Sequence, residues 1–406
     1  MNRSQLNYRW ICLATAVIAM LFAGILYAWS ILKIPFLIEF GWQDSALAFN
    51  FTLTMCTFCL GAFAGSHLAK KAGTILPLIL AGVLAGSGFL FTGVLNGDSI
   101  VLLYLTYGIL AGSGIGIAYN VLISSVSAWF PDKKGLCSGC LMMGFGASTL
   151  LLGGLISTLY EPDSLGWRKT LMLLGLILAA VLIVSAMIVR RPGENVHLPA
   201  PKKRRSSLAE NFEVKDMTPS QMIRRFTFWR AFLLLVCLTA VGNSVISFAR
   251  DLVLSVGASP SMATTMVGVL SVCNGLGRVL TGALFDAAGR RITMTAANLL
   301  TIAAAAVTLL AVLTSSVPLC IIGLCLTGLS YGSCPTLCSA FVSAFYGQKH
   351  FATNFSIVNF NLIFASFIAT ASAGLYTGTG SYTAPFLLLL ALAVGSLALN
   401  FSIRKP

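Results

Sequence analysis

Acidic side chains are nearly missing from this sequence. Only 12 of its 406 residues are Asp or Glu, and all charged residues together make up 9%. A soluble domain carries roughly 25%, so a water-exposed globular chain is excluded. Histidine is scarce as well, with three in the whole chain. Two cysteine pairs have C-x-x-C spacing, Cys56/Cys59 and Cys137/Cys140. Neither is joined by the histidines or further cysteines that would complete a tetrahedral site, so no metal or other cofactor is expected. No nucleophile, paired acids or metal cluster come together along the chain, which argues against an enzyme.

What the chain does have is apolar length. Apolar residues make up 57% of it, in successive long runs, and about 20 such residues cross a bilayer core of about 30 Å. The runs predict twelve spans, at 10–32, 44–66, 74–95, 99–122, 136–158, 168–189, 229–250, 261–284, 292–314, 317–340, 351–373 and 381–402. The first is too long for the core of a secretory signal and is not followed by a small-residue cleavage site. The expected fold is therefore an all-α membrane protein of twelve helices.

Positive charge is distributed by face. Counting with this topology, 21 of the 26 Lys and Arg residues fall on one side, among them Arg9, Lys70, Lys71, Lys133, Lys134, Arg290, Arg291 and Lys349. That bias follows the positive-inside rule. It predicts a multi-pass membrane protein with both termini cytoplasmic, without choosing between a bacterial inner membrane and a plasma membrane, and it makes the net charge of +14 topological. The partners expected are the lipid bilayer and a small substrate, with no nucleic acid, and the chain is expected to be a monomer. Residues 190–228 form a charged, Pro- and Ser-containing linker, including Lys202-Lys-Arg-Arg-Ser-Ser207. The linker separates an N-terminal six-helix half, 1–189, from a C-terminal half, 229–406.

The two halves resemble each other. An ungapped offset of 216 residues pairs Leu60 with Leu276, Gly61 with Gly277, Leu68 with Leu284, Ala72 with Ala288 and Gly73 with Gly289. The same offset pairs Gly112 with Gly328, Gly116 with Gly332, Ser127 with Ser343 and Lys133 with Lys349. Parallel six-plus-six repeats about an axis along the membrane normal are the layout of one large transporter class.

Between the eighth and ninth spans stands Gly282-Ala-Leu-Phe-Asp286-Ala-Ala-Gly289-Arg290-Arg291. Small residues there let helix ends approach, Asp286 can face a helix N-terminus, and the basic pair anchors the loop. This stretch resembles the loop signature of the major facilitator superfamily. In the first-half copy Ser66 and Lys70 replace the expected glycine and aspartate. That departure puts the loop's usual closing contact in doubt and keeps open a transporter-like carboxylate sensor that binds without moving its ligand.

Three more stretches resemble the oxalate/formate antiporter family, a relative of the monocarboxylate transporters. They are Tyr27-Ala-Trp29 with Lys33-Ile-Pro35 and Phe40-Gly-Trp42, Gly112 to Tyr119 leading to Trp129-Phe-Pro-Asp-Lys-Lys-Gly135, and Asn274-Gly-Leu-Gly-Arg278.

Arg278 stands out on physical grounds alone. It lies eleven residues before Gly289, about 16 Å along a helix, and so inside the hydrocarbon region. An arginine there costs at least ~2.5–3.5 kcal/mol, and the sequence places no acid deep in a span to neutralise it. A bound carboxylate suits its bidentate fork; snorkelling or bonding to backbone carbonyls is the alternative. The resemblance implies that a basic residue on this helix binds the carboxylate. It also implies, for oxalate, a lysine in the eleventh span, where this chain has none.

A monocarboxylate is therefore expected over oxalate, moved by alternating access and anion exchange, with proton-coupled symport as the alternative. Tyr27, Tyr119 and Tyr331 are candidates to ring the cavity. Asn359 and Asn361 can either bond a substrate hydroxyl or keto group or tie helices together. Lys33, at the outer mouth, can draw anions in or snorkel to headgroups.

Overall fold

The computed structural model describes residues 3–132, 134–161, 163–193, 196 and 216–403. Lys133, the Lys202–Ser207 run and the last three residues lie outside the described residues. Twelve helices are long and apolar enough to cross a membrane, and no strand occurs among the described residues. They are Asn7–Phe40, Asp44–Ala72, Ile75–Gly93, Ile100–Ser127, Cys137–Leu159 and Gly166–Ile188 in the first half. Phe226–Ser255, Pro260–Ala288, Arg290–Leu313, Val317–Tyr346, Phe351–Thr379 and Thr383–Ser402 make up the second. They are called spans 1 to 12 below. Helices are what lipid permits, because each satisfies its own backbone N–H and C=O groups.

Several spans are interrupted. Span 1 tightens into a 3-10 stretch at Gly24–Ala28, which carries Tyr27, and continues past its expected end to Phe40. Span 7 has a non-helical residue at Phe248. Span 10 contains Pro335, which has no N–H to give to the preceding turn. Span 11 is two helices, Phe351–Val358 and Asn361–Thr379, separated at Asn359 and Phe360.

The duplication is visible in the packing. Span 2, Asp44–Ala72, and span 8, Pro260–Ala288, occupy matching positions in the repeat, and both end at a glycine with φ near +70 to +80° (Gly73 at 70°, Gly289 at 79°). In the first half span 2 lies so close to span 4 that a methyl on Gly61 would overlap the Ser113 carbonyl, and one on Gly116 that of Phe58. In the second half the same clashes would join Gly277 to Leu329 and Gly332 to Asn274. Every residue in these pairs is displaced by the same 216 positions, so one helix–helix contact is built twice.

The halves meet along spans 2 and 11 and along spans 5 and 8. The Thr52 and Thr370 hydroxyls lie 2.7 Å apart, and Ser271 Oγ donates to the Gly146 carbonyl at 2.7 Å. The loops between spans 2 and 3, 4 and 5, 8 and 9, and 10 and 11 share one face with the start of span 1, here the terminal face.

Candidate functional site

Arg278 reaches its place because span 8 is a straight 29-residue helix anchored at Ser259, whose hydroxyl caps its N-terminus by accepting the Met262 N–H. The side chain is fully buried, with 0% exposure. Its Nη1 donates to the Met142 carbonyl of span 5 at 2.5 Å, and its Nε to Asn274 Oδ1, one turn back, at 3.2 Å. Gly146 makes the room: a Cβ there would stand 3.2 Å from Nε. Nη2 has no hydrogen-bond partner, and no carboxylate pairs with the guanidinium among the described residues. The cation is thus held on one edge by neutral acceptors and left open on the other. Of the alternatives raised by the sequence, bonding to a backbone carbonyl is present at one nitrogen, and another nitrogen stays without a partner.

Beside it a small cavity lies between the halves. It is lined by Tyr27, Phe58 and Tyr119 from the first half and by Thr239, Tyr331, Cys334, Pro335, Cys338, Asn359, Asn361 and Leu362 from the second. Its volume of about 10 Å³ holds roughly one water. All three tyrosines singled out from sequence line it. The Tyr331 hydroxyl donates to that of Tyr27 at 3.1 Å, a bond across the two halves. Tyr27 also walls a second small cavity toward the opposite face, with Asn274 and Ser271. It stands between the two. Arg278 does not itself line either cavity, but Asn274, which accepts from its Nε, walls the second.

The two asparagines differ. Asn361 Oδ1 accepts the Thr239 hydroxyl at 2.9 Å, and its Nδ2 donates to the Val358 carbonyl at 2.7 Å and to Cys338 Sγ at 3.4 Å. It is a tie between helices. Asn359 lies at the break in span 11, 2% exposed, with its Nδ2 unpartnered. Lys33, expected at the outer mouth, forms an ion pair at 2.8 Å with Asp44, whose own side chain is largely exposed.

Toward the terminal face a third space of about 120 Å³ opens. Its lining includes Ser127, Ser138, Asp286, Thr336, Ser339 and Gln348. Thr336 connects it to the centre, since its hydroxyl donates to the Arg278 carbonyl at 3.3 Å. The loop motif lies at its rim. Gly282 and Asp286 line it, whereas Arg290 lies over the Phe345 ring at 5.3 Å and donates to the Ile403 carbonyl. Arg291 is exposed.

Sequence reasoning missed Thr239, Cys334 and Cys338 as cavity walls. The spacing Tyr331, Cys334, Pro335, Cys338 marks one helix face and carried that signal. Thr239 had no local signal.

A profile described as the Major Facilitator Superfamily matches residues 10–250 and 232–406. The chain belongs to that superfamily and is a membrane transporter, not an enzyme. It is 29% identical over 290 residues to the oxalate:formate antiporter of Oxalobacter formigenes, across 71% of this chain and 66% of that one. It is 26% identical over 396 residues to monocarboxylate transporter 12 of Mus musculus, across 92% of this chain and 80% of that one. Among solved structures the proton:xylose symporter XylE superposes with a TM-score of 0.72 at 13% identity. That match covers 99% of this chain and 97% of the symporter, a likeness of fold.

Proposed function

We propose that this transporter carries small monocarboxylates by exchange, through alternating access. The observation that carries the reading is the fully buried Arg278 with its unpartnered Nη2 and no acidic neighbour within pairing distance among the described residues. A carboxylate oxygen is the natural acceptor for that nitrogen. The named relatives, an oxalate:formate antiporter and a monocarboxylate transporter, support the substrate class. One buried cation matches one negative charge. A dicarboxylate would leave its second charge against the neutral Asn359, Asn361 and Thr239, an arrangement that is costly in low dielectric.

Tyr27, Tyr119 and Tyr331 close around the anion, Asn359 Nδ2 offers a donor to a hydroxyl or keto oxygen, and Asn361 holds the broken span 11. The halves 1–189 and 229–406 rock about this centre, joined by the linker 190–228. The basic face is cytoplasmic, and the loop from Gly282 through Asp286 to Gly289, Arg290 and Arg291 acts there during closure. Exchange follows because an empty carrier must close over an incompletely paired guanidinium.

The test is uptake of labelled formate, lactate or pyruvate into proteoliposomes, with and without internal carboxylate. Uptake should require the internal anion and be lost in Arg278→Ala and Arg278→Lys, by at least about a hundredfold given two charge-assisted bonds. Uptake into empty vesicles driven by a proton gradient would replace exchange with symport. Unchanged uptake in both variants would remove Arg278 from the site.

A further inference from the structure

Two loops on the terminal face hold equivalent places in the repeat. Asp132, after span 4, and Gln348, after span 10, are separated by the same 216 residues. Each loop is gripped from the start of its own half, by Arg9 in the first turn of span 1 and by Asp216 in the segment before span 7, with the charge of the gripping residue reversed. In the first half Arg9 Nη1 donates to Asp132 Oδ1 at 2.9 Å, and its guanidinium lies 4.9 Å from the Phe130 ring centroid. In the second, Asp216 Oδ1 accepts the backbone N–H groups of Gln348 at 2.8 Å and Lys349 at 3.0 Å.

The second grip extends over several residues. The Met217 N–H donates to the Tyr346 carbonyl at 3.0 Å, and the Met217 carbonyl accepts Asn354 Nδ2 at 3.0 Å. Gly347 has φ of +77°, and the Asp216 carboxylate fills the space a side chain would need there. Only glycine meets both conditions. The N–H groups of Lys349 and Gln348 hold the Asp216 carboxyl below its ordinary range. Behind it, Thr218 and Gln221 form a capping box, and Met222 is fully buried.

What this grip secures is the mouth of the polar space above. Gln348 and Phe351 wall it, and the Gln348 amide is bonded to Ser343 Oγ. One residue past Phe351, the Ala352 carbonyl accepts Asn120 Nδ2 of span 4 at 3.2 Å. Span 4 belongs to the opposite half. A cap that merely tidied a loop would not connect, within a few residues, to a bond between the halves.

We propose that Asp216–Thr218, at the end of the linker, is a latch that keeps the terminal-face mouth narrow by pinning the start of span 11 against span 4. It rests on the two-half motion proposed above but not on any choice of substrate. The test is amide hydrogen exchange on the full-length protein in detergent or nanodiscs, without ligand. It compares wild type with Asp216→Ala, Asp216→Asn and Gly347→Ala.

In Asp216→Ala and Gly347→Ala, residues 346–354 should exchange about tenfold faster, the loss of roughly one net hydrogen bond. Residues 118–130 of the facing half, which the latch never touches, should quicken with them, while 36–46 at the opposite face should slow. Asp216→Asn keeps an oxygen acceptor and should fall between wild type and alanine. A rise confined to 346–354 would reduce the contact to local loop capping and overturn the proposal. So would an Asp216→Asn protein as fast as the alanine variant. Loss of carboxylate exchange by wild type would leave this readout intact, so the two proposals fail separately.

Discussion

The two halves are the same scaffold with different chemistry on it. Spans 2 and 4 close on each other through Gly61 and Gly116, spans 8 and 10 through Gly277 and Gly332, at matching positions. Yet where the second half presents Asn274 and Arg278, the repeat places Phe58 and Ala62 in the first. The first half contributes mainly rings to the central cavity: Tyr27, Phe58 and Tyr119. The second contributes the cation beside it and most of the polar wall, including Thr239, Asn359 and Asn361. Duplication thus fixes how helices approach, because backbone contact tolerates no side chain at those glycines. The cavity walls, one layer further in, are free to diverge. On the function proposed above, one half grips the substrate's charge, and the other shapes and dries the space around it.

That contrast can be broken most severely by moving the cation. Arg278→Ala should abolish exchange, and adding Ala62→Arg should not restore it, because the repeat equivalent of the Asn274 acceptor is Phe58, which accepts no hydrogen bond. The double variant should also lose about 2.5–3.5 kcal/mol of stability from an arginine without prepared partners, read as a lower midpoint in thermal unfolding. Recovery of uptake by the double variant would mean that the halves are chemically interchangeable.

The scaffold side of the comparison predicts equality. Gly116→Ala and Gly332→Ala should each cost about 1–3 kcal/mol by forcing apart a close helix pair, with similar loss of thermal stability. A large cost in only one half would show that the packing too has diverged.

The smallest effect separates two neighbouring asparagines. Asn359→Ala should raise KM about tenfold for lactate or pyruvate, one hydrogen bond's worth, and leave formate less affected. Asn361→Ala leaves the Thr239 hydroxyl without its acceptor and should cost about 1–3 kcal/mol of stability, with all substrates weakened alike. Equal substrate profiles for the two would merge their roles.

Much of this was legible in the sequence, for reasons that differ by residue. The spans are read from hydrophobic length, because lipid leaves the backbone almost no other option. The repeat is read from glycines, because each marks a place where a backbone touches a backbone. The burial of Arg278 follows from its distance to Gly289 along one unbroken helix. What could not be read depends on contacts between distant segments. Asn361 looks as free as Asn359 until Thr239, 122 residues away, is brought beside it. Lys33 looked like an open cation because the turn that brings Asp44 to it follows a helix, ending at Phe40, that runs past the expected end of span 1.

The bond from Arg278 to the Met142 carbonyl has one more consequence. It joins span 8 to span 5 and so ties the gripping half to the other. If the carrier works by exchange as proposed, the slip to be prevented is the return trip made empty. On that proposal the Arg278–Met142 bond is a strut across the halves of the unloaded molecule, relieved when an arriving carboxylate offers the guanidinium a better acceptor, and it works as a turnstile. It turns for a paying passenger in either direction and stays locked when no one is there.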